Sequence, residues 1–255
     1  MSKPIRAVIS DLDGVVWRGE AAIPSSVVAL RRWFERGVPL AFATNNSAHS
    51  AAEFARVLNG FGIPVAPSHV ITPIEALTAW LQTNRPGANC YVIGGDALRT
   101  SVIAAGGHVV EDAGAEVVVL GTDYDLGYTK LRIATNALLN GAVLLATNPD
   151  VLSPVEDGFE PCVGALVALF DAAVPGLEPV ILGKPQPGLL LAALDLLGAD
   201  PGDTIMIGDQ VSTDMKAAAA AGVRGIRITT NPHYRPCPGD PPHGVIDCLS
   251  ELSPG

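Results

Sequence analysis

The sequence lacks most marks of a secreted, membrane-bound or nucleic-acid-binding protein. Only 4 cysteines occur in 255 residues. Cys90, Cys162, Cys237 and Cys248 are scattered and form no Cys-x-x-Cys pair, so no thiol framework is visible. No run approaches the ~20 apolar residues that span a bilayer. The apolar stretch that follows Met1-Ser2-Lys3-Pro4-Ile5-Arg6 meets Asp11 almost at once, too short for a signal-peptide core. The expectation is a reduced, cytoplasmic protein with free thiols. Basic residues are also scarce. Asp and Glu number 26 against 16 Lys and Arg, a net charge of -10. Such a surface repels nucleic-acid backbones and anionic membranes, so neither is an expected partner. A small anionic substrate would need a local cation to offset that field. There is no repeat, no low-complexity tract and no Ser/Gly linker.

What is present is apolar material, 48% of residues against 16% charged, enough for one large or two modest domains and too little charge for disorder. Strand-like runs alternate with helical patterns, which predicts an α/β fold with a parallel sheet covered on both faces. Ile5–Ser10, Val38–Ala43, Pro179–Leu182, Thr204–Gly208 and Val223–Ile228 read as strands. Pro24–Arg36 reads as a helix with Val27, Leu30 and Phe34 on one face. Ser50 with Glu53 and Thr72 with Glu75 fit capping boxes; Phe54, Val57 and Leu58 would face inward. Pro187–Leu197 is a leucine-rich helix stopped by Gly198, and Ala217–Ala221 a helix closed by Gly222. The middle alternates too, with strands at Tyr91–Ile93, Glu116–Leu120 and Val143–Ala146 and helices near Lys130–Leu139 and Gly164–Ala172. Residues 231–242 read as a Pro-rich surface loop before a last short strand and helix turn.

The chemistry gathers at strand ends. Asp11-Leu12-Asp13-Gly14 follows the first strand, and in a parallel sheet ligands bind beyond the carboxyl ends of strands. An EF-hand loop is excluded, because its third acid, glycine and terminal glutamate would fall on Val15, Val16 and Ala22. Thr44-Asn45-Asn46-Ser47 ends the next strand and suits phosphate oxygens, although such a segment alone reads more often as a helix cap. Lys184 follows a strand between a glycine and prolines. Asp209 ends Thr204–Gly208, with Asp214 five residues on; Asp214 alone could simply cap the alanine helix. Together these supply what phosphoryl transfer requires. A carboxylate and a phosphate dianion repel, so a divalent cation, Mg²⁺ by its oxygen preference, must bridge them. Asp11 and Asp209 can hold it. Lys184, Thr44 and the adjacent Asn45 and Asn46 can stabilise charge on the transferring group.

In order, these motifs resemble the haloacid dehalogenase (HAD) superfamily of aspartate-nucleophile phosphohydrolases. The segments DLDGVVWRGE, TNNS, ATNPD, PCVGA, GKPQP and GDQVSTD are similar to its NagD-like branch, which includes 4-nitrophenyl, phosphoglycolate and pyridoxal phosphate phosphatases. The resemblance implies a Rossmann-like, doubly wound parallel-sheet core over 1–74 and 179–255, with an α/β cap domain inserted at 75–178. It implies Asp11 as nucleophile, forming an aspartyl-phosphate, and Asp13 as the acid that protonates the leaving alcohol and then activates water. It implies Mg²⁺ held by Asp11, the carbonyl of Asp13, and Asp209, with Asp214 orienting metal waters or Lys184. An acid at Asp13 favours phosphate-ester cleavage over dehalogenation. The implied function is a Mg²⁺-dependent phosphatase for a small phosphorylated metabolite. A catalytically idle phosphometabolite-binding protein and a phosphomutase are the rivals. Family caps often pair, which leaves a homodimer open.

Departures fall in the cap and near it. Ala48 and His49 stand where many relatives carry a basic residue, and Pro161-Cys162-Val163-Gly164 where many read Pro-Gly-x-Gly. Asn148, Asp150 and Cys162 are the candidates for leaving-group contact, with Asn148-Pro149 equally readable as a turn. Tyr124, Asp125 and Tyr128 could share that surface or only its loops. His233, Cys237, His243 and Cys248 could ligate zinc, but their spacing matches no standard pattern.

Overall fold

A computed structural model describes residues 4–155, 158–230 and 242–255. The chain forms two compact units, one from Met1–Thr44, Ala51–Ile71 and Lys184–Gly255, the other from Asn45–Ser50 and Thr72–Gly183. The expected breaks at 74/75 and 178/179 compare with breaks at 71/72 and 183/184, and the second unit also takes residues 45–50.

The first unit is built on a 6-stranded sheet. Its strands run in the order Gly244–Ile246, Arg224–Ile228, Thr204–Gly208, Ala7–Ser10, Leu40–Ala43, Val70–Ile71, and every pairing is parallel. The central strands are buried along their whole length, as the unbroken apolar runs AVIS, LAFA and TIMIG require of strands covered on both faces. Chain order reverses between the adjacent strands Ala7–Ser10 and Thr204–Gly208, where Val8 pairs with Ile205 and Ser10 with Ile207. That reversal makes the sheet doubly wound, and it opens a crevice at the carboxyl ends of these two strands.

Helices cover the sheet much as the apolar spacing predicts, with two corrections. In the helix Pro24–Glu35 the buried stripe is Ser26, Ala29, Leu30 and Trp33, and Phe34 is exposed. The larger indole of Trp33 takes the inward position beside Leu30. In Ala51–Gly60, Phe54, Ala55 and Leu58 face inward, while Val57 lies outside. Gly188–Leu197 ends at Gly198, which adopts φ 57°, a left-handed cap that suits glycine. The alanine helix runs Lys216–Ala220 and is entered through a π-helical turn, Val211–Met215.

The second unit has its own 5-stranded parallel sheet, in the order Val180–Ile181, Val143–Ala146, Val117–Leu120, Asn89–Ile93, His108–Val109. Thr72 and Glu75 form the expected capping box at the start of Pro73–Asn84. The helix Asp96–Ala104 and the antiparallel hairpin Leu152–Val155 with Gly158–Pro161 are additions that sequence spacing does not reveal. No helix among the described residues is long and apolar enough to cross a membrane.

Candidate active site

Asp11 and Asp209 each follow one of the two strands that flank the chain reversal. Asp11 is held in line by its amide, which donates to the Ile207 carbonyl at 2.8 Å. After it the chain turns sharply. Leu12 is fully buried, and its carbonyl accepts from Val16 N at 2.8 Å. Gly14 sits at φ 79°, and a Cβ there would lie 2.6 Å from Asp209 Oδ2. Glycine is therefore needed twice, for the left-handed backbone and for the room that the Asp209 carboxylate occupies.

Lys184 stands between two carboxylates. Its ammonium lies 2.8 Å from Asp11 Oδ1 and 2.6 Å from Asp214 Oδ1. All three side chains are buried. Burial would push the Lys184 ammonium down, but Asp11 and Asp214 outweigh it and hold the group above its ordinary value. Asp11 moves the other way from most paired acids. Burial drives its carboxyl well above its ordinary value. Lys184 pulls it down, and Asp214, Asp209 and Asp13 push it up again. Burial is the largest cause, and the like charges add to it.

Asp214 does not cap the alanine helix. Its Oδ2 reaches back to accept from Gln210 N at 3.1 Å, and its Oδ1 takes Lys184. Gly208 makes this possible, since a Cβ there would fall 2.2 Å from Asp214 Oδ2. The π-helical turn has the same origin in the backbone, with the Gln210 carbonyl accepting from both Asp214 N at 3.0 Å and Met215 N at 3.3 Å.

Oxygens of Asp11, Asp209 and Asp214 all lie within 4.8 Å of one another. Such a purely carboxylate set could hold a hard divalent cation, and the excess of negative charge over the single ammonium of Lys184 calls for one. Asp214 engages both Lys184 and the Gln210 amide, and Asp11 engages Lys184. This is the only such cluster of His, Cys, Asp and Glu found among the described residues. Of the four residues weighed for zinc, His243 accepts from Gly225 N at 3.2 Å and Cys248 accepts from Ser250 at 3.2 Å. His233 and Cys237 lie outside the described residues, as does most of the 231–242 loop.

Asp13 is half-buried, and its Oδ1 accepts from the Trp17 indole at 3.0 Å. Thr44 is buried at the end of Leu40–Ala43, its amide donating to the Ile71 carbonyl at 3.1 Å. Sequence reasoning gave no role to Trp17 or Gly208, and it read Gly14 only as the residue that lets the chain turn. The signal for the first was an aromatic four residues after an acid on a tight turn, and the glycines show only once the carboxylates beside them are placed.

The remaining candidates belong to the second unit. Asn45 Nδ2 donates to Asp150 Oδ2 at 3.0 Å, and Asn46 Oδ1 accepts from Ala48 N at 2.9 Å. Asn148 is buried; it donates to the Asn45 carbonyl at 2.9 Å, and its Oδ1 takes Asp150 N at 3.1 Å and the Cys162 thiol at 3.7 Å. Gly164 lets the helix Val163–Ala173 start against this segment, where a Cβ would lie 2.1 Å from the Pro149 carbonyl. The structure thus brings Asn45, Asn148, Asp150 and Cys162 together in one network. Tyr124 donates to Glu160 at 3.2 Å, Asp125 N to Asp123 at 3.0 Å, and Tyr128 is exposed.

Comparison with known proteins gives consistent findings. A family model described as haloacid dehalogenase-like hydrolase matches residues 8–108, and a second, HAD-hydrolase-like, matches 181–252. The acid sugar phosphatase of Staphylococcus aureus (strain MRSA252) is 33% identical over 228 residues, 89% of this chain and 88% of that protein. The solved p-nitrophenyl phosphatase from Archaeoglobus fulgidus is 28% identical at a TM-score of 0.86, covering 96% of this chain and 97% of its own. A glycerol phosphate phosphatase from Mycobacterium tuberculosis, solved in complex with calcium, is 30% identical at a TM-score of 0.78, covering 88% of this chain and 66% of its own.

Proposed function

The chain belongs to the haloacid dehalogenase-like hydrolases and is a phosphatase, and on that premise we propose that it hydrolyses a small phosphate monoester through an aspartyl-phosphate on Asp11, with Mg²⁺ as its cation. The observation that carries this reading is the Lys184 ammonium 2.8 Å from Asp11 Oδ1, with the Asp209 carboxylate within 4.8 Å. Burial and the neighbouring carboxylates hold the Asp11 carboxyl up against the pull of Lys184, so a further cation would be needed to favour its ionised, nucleophilic form. Mg²⁺, held by Asp11, the Asp13 carbonyl and Asp209, would supply the positive charge that lets a carboxylate approach a phosphate dianion.

The side chains then divide the work. Asp11 attacks phosphorus as the bond to the leaving alcohol breaks, and Asp13 gives that alcohol its proton. Asp13 next takes a proton from the water that attacks the aspartyl-phosphate, which releases phosphate and restores Asp11. Lys184 and the Thr44 hydroxyl meet charge on the transferring group, while Asp214 holds Lys184 in place. The second unit would act as the cap. The sugar and glycerol phosphates in the names of relatives lead the list of substrates to screen.

The deciding experiment measures phosphate release from 4-nitrophenyl phosphate and from sugar and glycerol phosphates. Activity should vanish with chelator, return with Mg²⁺ and be lost in Asp11→Asn with the fold intact. Undiminished hydrolysis in excess EDTA, or near wild-type turnover by Asp11→Asn, would overturn the reading.

A further inference from the structure

The loop that carries Asp13 closes on Trp17 through both main chain and side chain. Gly14 N donates to the Trp17 carbonyl at 2.7 Å, Asp13 and Trp17 form an isolated β-bridge, and the Thr230 hydroxyl donates to the Gly14 carbonyl. The Trp17 indole N–H then donates to Asp13 Oδ1 at 3.0 Å. Trp17 is itself firmly seated. It is 6% exposed, its ring stacks on Phe54 at 6.2 Å between centroids and 13° between planes, and Phe61 flanks it at 6.3 Å. The short hairpin Trp17–Arg18 with Ala21–Ala22 fixes its backbone. A core position alone would be filled as well by phenylalanine, which has no polar atom to satisfy. The indole adds one rigid donor, and that donor points at the half-buried acid.

An indole nitrogen donates and never accepts. In a protonated carboxyl the carbonyl oxygen is the better acceptor, so a donor fixed on Oδ1 favours the proton on the other oxygen. We propose that Trp17 is the positioning residue for Asp13: its N–H occupies Oδ1 and fixes the carboxyl plane, so that Oδ2 is the oxygen that gives and takes the proton. This rests on the reading of Asp13 as leaving-group acid. In balanced form, the Oδ2–H proton passes to the leaving oxygen as its bond to phosphorus breaks and the Asp11–phosphorus bond forms. The attacking water later returns a proton to Oδ2 as the Asp11–phosphorus bond breaks.

The test is single-turnover phosphorylation of the full-length enzyme with Mg²⁺, by glycerol phosphate and by 4-nitrophenyl phosphate. The 4-nitrophenolate leaves without a proton, whereas an alkoxide does not. Asp13→Ala sets the benchmark, with a loss of about 10²–10⁴-fold for the alkyl ester and much less for the aryl one. Trp17→Phe keeps the stacked ring and removes the donor. A misaimed acid should slow the alkyl ester about tenfold and the aryl ester less than about threefold, with substrate affinity unchanged. In an Asp13→Ala background the same change should have no further effect on the alkyl ester. Benzothienylalanine incorporated in place of Trp17 keeps the bicyclic shape without the N–H, so it carries the test if the phenylalanine variant misfolds, and it should show the same pattern. Equal losses for both esters, or none, would overturn the role of Trp17 and leave an ordinary core aromatic. Should Asp13→Ala itself slow both esters alike, the reading of Asp13 fails, and the assignment of Trp17 with it.

Discussion

Lys184 and Asp214 form a 2.6 Å ion pair in which the side chains are 1% and 0% exposed. The second carboxylate on Lys184, Asp11 at 2.8 Å, makes the two partners unequal. Lys184→Met would strand two buried carboxylates without a cation, whereas Asp214→Asn would leave Lys184 paired with Asp11. Removing one partner of a buried pair costs about 3–5 kcal/mol. We expect Lys184→Met to lose that much, on the order of 10 °C in melting temperature, and Asp214→Asn distinctly less. Thermal melts in chelator would check this, and a larger loss in Asp214→Asn would reverse the assignment of the anchor.

The acid cluster should also make the metal-free protein pH-sensitive. The folded-state pKa of Asp11 is raised above its ordinary 3.8. In the window above that value the folded chain holds the proton more tightly than the unfolded chain. Stability from this group is therefore greatest at low pH, falls as pH rises through the window, and levels off once Asp11 is ionised in both states. Asp209 is one of the charges that push Asp11 up. Asp209→Asn should then raise the melting temperature of metal-free protein at pH 7 by a few degrees, about 1–2 kcal/mol. The difference should shrink toward pH 4. Added Mg²⁺ should stabilise the wild type and have little effect on the variant. A variant that melts lower than wild type at pH 7 in chelator would contradict the argument.

Much of this site is legible because the chemistry sits where a parallel sheet must present it. Asp11, Thr44 and Asp209 each end an apolar run, and such runs are easy to find. The Thr72 and Glu75 box is a local signal with local causes, and the structure contains it. What the sequence conceals is decided by distant neighbours. Phe34 and Val57 are apolar residues at helical spacing, yet Trp33 and Ala55 are buried on their helices instead. The helix Asp96–Ala104 begins after Gly95 with no side-chain cap, so it lacks a start signal. The widened turn before Lys216 arises from one carbonyl shared by two amides, which no periodicity encodes.

Gly14 and Gly19 separate backbone strain from crowding. Both have positive φ, 79° and 53°, but a Cβ on Gly19 would meet nothing within 4 Å, while one on Gly14 would strike Asp209. Gly19→Ala should cost about 1–2 kcal/mol, the ordinary penalty for a left-handed L-residue, and keep full activity. Gly14→Ala should cost more and weaken Mg²⁺ affinity by displacing the Asp209 carboxylate. Titration calorimetry with Mg²⁺ on both variants distinguishes the two. Equal Mg²⁺ affinity would mean that Asp209 is not confined by Gly14.

Asn148 reads from the sequence equally as a leaving-group contact or as part of an Asn148-Pro149 turn; in the structure it is 2% exposed and bonded through both ends of its amide. Its amide joins the Asn45 carbonyl at 2.9 Å to the Asp150 amide at 3.1 Å. Beside it Asn45 bonds Asp150 at 3.0 Å, and Ser47 bonds Thr147 at 3.1 Å. These bonds bind residues 45–47 to 147–150 within the second unit. Asn148→Ala would leave a buried carbonyl and a partly buried amide without this partner, at about 1–3 kcal/mol each. Asn148→Asp would keep the shape but set an acceptor against the Asn45 carbonyl, so it should be no better tolerated. Both variants should therefore melt several degrees lower and keep the wild-type ranking of kcat/KM across a panel of phosphate esters. A residue that touches the leaving group predicts the opposite pattern, near-normal stability with KM raised for some esters and not others. That result would return Asn148 to the substrate and leave the bonding of residues 45–47 to other groups.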